Sequence, residues 1–362
     1  MKPANKPAGA DVVQQKRRSR TLSIMPTFTC PAACTDCGTL SSPQERSHLD
    51  LATVLAAIDE ARELGFCNVV FTGGEATLEW NTLLRGIERA ASHRLPVRLV
   101  TNAHWATSAA VAHNKLAALM DAGLSEINYS TGDEHIRFVP LERVAHACVA
   151  ACERHLRTHV MMELKEARTI TPECLQNHPL LQGLTTAQRG YLTILSSPWM
   201  PLNHSTVYQY PEGVACDVQV AAMRGGCTSV LKTYTVQADG RVGACCGLGL
   251  RTIPELNVST TSAAHCLRRA ISEAEQDFLK LWIHYQGPAR VVAWAASHDP
   301  SIRWEGMYAH QCQMCQRLYH DEAIRSVIAS HWQEMIAEVI QAAWLDDVHI
   351  PASLSQLRQE QD

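Results

Sequence analysis

From Thr21 to Ser196 short apolar runs alternate with longer stretches whose apolar positions recur every third or fourth residue. The runs at 22–26, 68–72, 97–101, 126–130, 159–163 and 191–195 predict strands, and the stretches at 48–65, 79–93, 108–122, 140–156 and 172–186 predict the helices between them. Gly65 and Gly123 supply stop signals at two of those helices. Six strands separated by helices predict a parallel sheet, most simply an incomplete α/β barrel, whose chemistry belongs at the C-terminal ends of the strands.

Near Ser196 the rhythm changes. Residues 197–230 contain Pro198, Pro201, Pro211 and the pair Gly225-Gly226. Two short runs, 233–237 and 241–244, then flank Asp239-Gly240 and predict a hairpin. Helical patterns follow at 262–284 and 320–344. The expected organisation is a basic arm over 1–20, a partial barrel over 21–196, a small α+β domain over 197–319 and a helical extension over 320–362. The amphipathic face of that extension is assigned to covering the core.

Among 362 residues, 46% hydrophobic and 19% charged side chains permit a sizeable core and argue against disorder over most of the chain. A formal net charge of −4 offers no general basis for coating nucleic acid. The basic stretch Lys16-Arg17-Arg18-Ser19-Arg20 is followed by no adequate apolar region, and no run long enough to span a membrane occurs. A reducing cytoplasm is the expected location. Cysteine changes the picture most: of 14, three fall within residues 30–37 and two form Cys312-x2-Cys315. Such clustering suits metal or iron–sulfur ligation better than disulfide stapling. His-Glu-x2-His, nucleophile-elbow and Walker motifs are absent from the sequence.

Cys30-x3-Cys34-x2-Cys37 directly follows the first predicted strand. Three thiolates can hold three irons of a [4Fe–4S] cluster and leave the fourth open to an exogenous ligand. Gly73-Gly74-Glu75 follows the second strand, where glycines permit close backbone approach; taken alone it also reads as an ordinary strand-to-helix turn. Together the two motifs resemble the radical S-adenosylmethionine (SAM) superfamily. The resemblance implies that Cys30, Cys34 and Cys37 hold the cluster and that Gly73, Gly74 and Glu75 form the second motif, beside the methionyl end of SAM. It also places ribose or methionine contacts after the third and fourth strands, at Asn102 and Ser130, which serve equally as caps or turns. His135 and Arg137 stand near them without a firm role. Asp36 departs from the family, which often has an aromatic residue before the third cysteine.

A second set, Cys227, Cys245 (within Gly240-x4-Cys245), Cys312 and Cys315, resembles the shortened auxiliary-cluster domain called twitch, related to the longer SPASM domain. The resemblance implies an auxiliary [4Fe–4S] cluster; structural zinc is the alternative for four thiolates. Cys246 competes with Cys245 for one place and Cys216 is a further alternate; a second auxiliary cluster is not expected unless Cys216, Cys246 or Cys266 is recruited, and Cys67, Cys148, Cys152 and Cys174 read as core thiols. His204, Tyr208, Tyr210 and Arg224 belong to a segment expected to cross the barrel opening.

What the resemblance implies is an enzyme that generates a 5′-deoxyadenosyl radical, fed by a flavodoxin- or ferredoxin-type donor. Its first expected substrate is a ribosomally synthesised peptide undergoing oxidative modification or crosslinking. The alternatives are a small natural-product intermediate such as an amino sugar, and a non-enzymatic iron–sulfur scaffold. The tryptophans, by default packing residues, offer some recognition surface. Neither nucleic acid nor membrane is an expected partner.

Overall fold

The computed structural model describes residues 20–200, 207–247 and 249–348. Most of the expected arm, His204 and the end of the C-terminal extension lie outside the described residues. Six parallel strands stand in chain order along one sheet: β1 (Thr21–Ile24), β2 (Asn68–Phe71), β3 (Val97–Thr101), β4 (Glu126–Thr131), β5 (Arg157–Leu164) and β6 (Leu192–Pro198). Helices α1 (Leu51–Glu63), α2 (Trp80–Ser92), α3 (Ala109–Asp121) and α4 (Leu141–Glu153) connect the first five.

Local chemistry explains these elements. The Asp50 carboxylate accepts the Thr53 N–H at 2.7 Å and starts α1, and Ser108 accepts the Val111 N–H at 3.3 Å and starts α3. Such a cap contributes about 1 kcal/mol. Helix α2 buries Leu83, Gly86, Ile87 and Ala90, a single stripe at helical spacing. A Cβ at Gly86 would stand 2.6 Å from the Phe71 ring, so glycine lets the helix settle on β2.

The predicted helix at 172–186 is instead three short turns, α5 (Pro172–Gln176), α6 (Pro179–Gln182) and α7 (Thr186–Arg189). Pro179 cannot donate to a preceding turn. Thr185 then starts α7 with a capping box shared with Gln188.

Beyond α8 (Val218–Met223) the chain returns to the sheet. Strand β7 (Thr233–Val236) pairs in parallel with β1, Thr21 opposite Thr233 and Ile24 opposite Val236. The predicted hairpin then brings in β8 (Arg241–Gly243), with Gly240 at φ +81° in its turn, and β9 (Asn257–Thr260) completes the order β6-β5-β4-β3-β2-β1-β7-β8-β9. Strand β9 escapes the hydrophobic pattern because three of its four residues, Asn257, Ser259 and Thr260, are polar.

The predicted helix 262–284 divides into α9 (Cys266–Glu275) and α10 (Phe278–Gln286) because Asp277 caps a new start, accepting the Lys280 N–H at 3.1 Å. Two unpredicted helices follow, α11 (Pro288–His298) and α12 (Gln311–His320). The predicted 320–344 helix is α13 (Glu322–His331), a 3-10 turn (Trp332–Met335) and α14 (Ile336–Val348). One buried apolar cluster runs from Leu22 to Val339, with Phe71, Tyr129, Tyr234 and Trp282 among its large side chains. Among the described residues no helix is long and apolar enough to cross a membrane.

Candidate active site and a second cysteine set

The C-terminal ends of β1 to β6 open on a cavity of about 380 Å³, lined from successive strands by Met25, Thr72, Thr101, Ser130, Met161 and Ser197. Cys30, Cys34 and Cys37 line it from the loop after β1. That loop is held by backbone bonds: Phe28 N–H donates to the Ser47 carbonyl and Cys30 N–H to the Ser42 carbonyl, both at 3.1 Å. From the far side Arg251 donates to the carbonyls of Thr39 (3.0 Å) and Leu40 (2.9 Å), with its guanidinium 4.2 Å above the Phe28 ring. Asp36 (φ +59°) and Leu40 (φ +50°), on either side of Cys37, adopt a left-handed backbone that costs a side-chain-bearing residue about 1–2 kcal/mol.

Burial pushes the Cys30 and Cys34 thiols up to about 12, and the nearby Cys37 and Cys30 sulfurs push Cys34 in the same direction. Three converging sulfurs are a site for a cation, which binds them as thiolates.

Gly73 and Gly74 face the cysteine loop at contact distance. A Cβ would lie 2.7 Å from the Thr27 carbonyl oxygen at Gly73 and 2.4 Å from that of Thr29 at Gly74. Gly74 and Glu75 donate their N–H groups to the Thr27 and Thr29 carbonyls, both at 2.9 Å. The close approach that requires glycine is therefore backbone to backbone, and the cavity lies beyond it. Glu75 is 1% exposed and stands behind the wall. Its Oε1 accepts from Thr77 N (3.2 Å), Thr77 Oγ1 (2.6 Å) and Thr101 Oγ1 (2.8 Å), and its Oε2 from Asn102 N (2.9 Å). Four donors on one carboxylate tie the end of β2 to the end of β3.

Asn102 does line the cavity. Its Nδ2 donates to Cys30 Sγ at 3.6 Å and its Oδ1 accepts the His104 N–H at 3.0 Å. Burial lowers His104 below the ordinary histidine range.

In the second set, Cys227, Cys245, Cys246, Cys312 and Cys315 gather between the end of β8, the first turns of α12 and the segment before β7. Cys227 N–H donates to the Ile283 carbonyl at 3.0 Å, an approach that needs Gly226, whose Cβ would fall 1.9 Å from the His284 carbonyl oxygen. Cys312 and Cys315 share a helix face, and His310 Nδ1 accepts the Cys312 N–H at 3.1 Å. A hydrogen bond with Cys246 and then burial push Cys245 and Cys312 well up, and Cys315 is raised by burial and by Cys227 and Cys246. Burial and Cys246 also raise Cys227. Cys246 thus neighbours all four others, and with Gly247 it also lines the cavity. Among the described residues neither cysteine set brings three sulfurs within 4.8 Å of one another.

No family model matches the sequence, and none of the curated proteins matches it. Among solved structures, native anSMEcpe with bound AdoMet and a Cp18Cys peptide superposes over 89% of this chain and 99% of its own, at 10% sequence identity and a TM-score of 0.50. The chain has the fold of the radical SAM enzymes. SuiB from Streptococcus suis is also similar, matching 66% of this chain and 63% of its own at 14% identity and a TM-score of 0.37 when bound to precursor peptide SuiA.

Within this radical SAM fold the structure gathers Cys30, Cys34, Cys37, Gly73, Gly74, Asn102 and Ser130 around one cavity and leaves Glu75 outside its lining. Tyr208 donates to Asp36 Oδ2 at 2.6 Å, so an aromatic from a distant segment reaches position 36. Tyr210 donates to the Trp199 carbonyl at 2.6 Å, whereas Arg224 is occupied by the Ala309 carbonyl at 3.0 Å. Sequence reasoning named Trp199 only among tryptophans offering some recognition surface, and missed Glu163. Trp199 lines the cavity with its indole N–H buried and lacking an acceptor. Glu163, 5% exposed, accepts the N–H groups of Glu134 (2.9 Å) and His135 (3.2 Å) and contacts His135 Nδ1 at 2.7 Å. Its signal was a carboxylate at the end of a barrel strand.

Proposed function

We propose that the chain is a radical SAM enzyme that oxidatively modifies or crosslinks a ribosomally synthesised peptide. The observation that carries this reading is the convergence of Cys30, Cys34 and Cys37 on a cavity that all six parallel strands contribute to. In this proposal the three cysteines hold a [4Fe–4S] cluster, and Cys227, Cys312 and Cys315, with Cys245 or Cys246, hold an auxiliary one. Bound there, the first cluster supplies the electron that cleaves SAM to a 5′-deoxyadenosyl radical.

The chain's own residues do the rest. The Gly73 backbone and the Asn102 and Ser130 side chains orient SAM, and the unsatisfied Trp199 indole N–H offers it or the substrate a donor. Glu75 acts as a brace that fixes Asn102 beside Cys30. Apolar residues such as Met25 and Met161 keep water from a radical that would otherwise be quenched. The peptide bound to anSMEcpe, a protein of the same fold, supports the substrate class. We place the boundary between the barrel and the auxiliary region near Ser196, and a flavodoxin or ferredoxin as electron donor.

The test is anaerobic reconstitution, reduction and addition of SAM with either peptide or small-metabolite fractions. The expected result is 5′-deoxyadenosine formed above the uncoupled background with peptides alone. Stimulation by metabolites alone would reassign the substrate, and no SAM cleavage at all would overturn the radical reading.

A further inference from the structure

Away from both cysteine sets, His298, His331 and Glu334 each present a ligand atom within 4.8 Å of the others on the protein surface. They come from three elements. His298 ends α11, His331 ends α13, and Glu334 lies in the 3-10 turn that follows.

The hydrogen bonds of His298 pose a chemical problem. Its Nδ1 lies 3.1 Å from the Trp294 carbonyl oxygen and its Nε2 lies 3.0 Å from Glu334 Oε2. With its proton on Nδ1, donated to the Trp294 carbonyl, the neutral ring presents a lone pair at Nε2. That lone pair faces a carboxylate oxygen, which is also an acceptor. Two acceptors at this distance require a positive centre between them, either a second proton on the ring or a metal ion. His331 approaches the other carboxylate oxygen, with Nδ1 3.1 Å from Oε1, and the two imidazole rings lie 4.8 Å apart.

We propose that His298, His331 and Glu334 form a surface site for one divalent cation of the zinc type, which clasps the end of α11 to the turn between α13 and α14. Two imidazole nitrogens with one carboxylate are a borderline-soft donor set, suited to zinc and its neighbours in the first transition row and poorly suited to calcium or magnesium. The Trp294 carbonyl supplies the orienting contact that metal-bound histidines ordinarily have on the other nitrogen. The Trp294 ring, 4.6 Å from that of His298, limits its rotation. Half-exposed side chains leave the fourth position to water. The cation binds the ring nitrogens through their lone pairs, so protons compete with it for the site.

The test uses the full chain with its iron sites loaded, washed with chelator and titrated anaerobically with zinc chloride alone at neutral pH. Bound zinc is counted after gel filtration. The expected result is one zinc per chain. His298→Ala and Glu334→Gln each weaken this binding at least roughly tenfold, while iron content and near-ultraviolet circular dichroism stay unchanged. Retention of the same zinc stoichiometry and affinity in both variants, or no uptake by the wild-type chain, would overturn the proposal.

Discussion

The Gly73-Gly74-Glu75 step shows how one motif can be read correctly as special and still act for a different physical reason. Its glycines are required because the turn after β2 presses against the backbone of the cysteine loop. Gly74→Ala would force a methyl group to 2.4 Å from the Thr29 carbonyl oxygen and 2.6 Å from that of Phe28, with no flexible side chain to yield. The expected outcome is a loss of about 2–3 kcal/mol, read as a lower melting temperature, together with loss of iron from the first site. His104 makes a second prediction. Burial holds its folded-state pKa below the unfolded value of 6.5, so its contribution to stability is present above pH 6.5 and is lost as pH falls below it. Melting temperature is expected to drop between pH 6.5 and 5, and His104→Gln to flatten that slope. The cysteine positions were legible because thiolate spacing is local chemistry. The parts of Trp199 and Glu163 were not, because strand register brings Trp199 to the cavity, and Glu163 to the cavity-lining His135, from the far end of the barrel.

Among the elements, the six barrel strands were legible because parallel strands covered by helices become apolar runs. The helix breaks were less so, since hydrophobic periodicity continues across Asp277 while its carboxylate restarts the backbone, as that of Asp321 starts α13. Asp321 accepts the Ile324 N–H at 3.1 Å and also pairs with Arg317 at 2.6 Å. Asp277 carries a further burden, because its carboxylate pairs with Lys280, which is 3% exposed. Asp277→Ala removes a cap and leaves a buried ammonium without its carboxylate. A loss of about 3 kcal/mol is expected in denaturant unfolding, and Asp277→Asn, which keeps the capping oxygen, should recover part of it. An equal loss in both variants would assign the whole effect to the charge pair.

For the whole molecule, the decisive contact is β1 with β7. It carries the loop after β8 to the rim of the cavity, where Gly247 packs so closely that a Cβ would lie 2.4 Å from the Met25 side chain. The two cysteine sets thereby meet through Cys246. In the proposed auxiliary site five thiols compete for four places, and Cys245 and Cys246 both neighbour Cys312. Cys245→Ser and Cys246→Ser are each expected to retain auxiliary iron, while the double variant and Cys315→Ser lose it, as counted by iron analysis and Mössbauer spectroscopy. Nothing local in the sequence announced the pairing across so long a separation. That separation also sets a timetable for biosynthesis. At about 5–20 residues per second, β1 emerges from the ribosome roughly 10–40 seconds before its second neighbour. During that interval one strand edge stands open to wrong partners, so slower growth or added chaperone should improve the recovery of native protein more than any change confined to the first half of the chain.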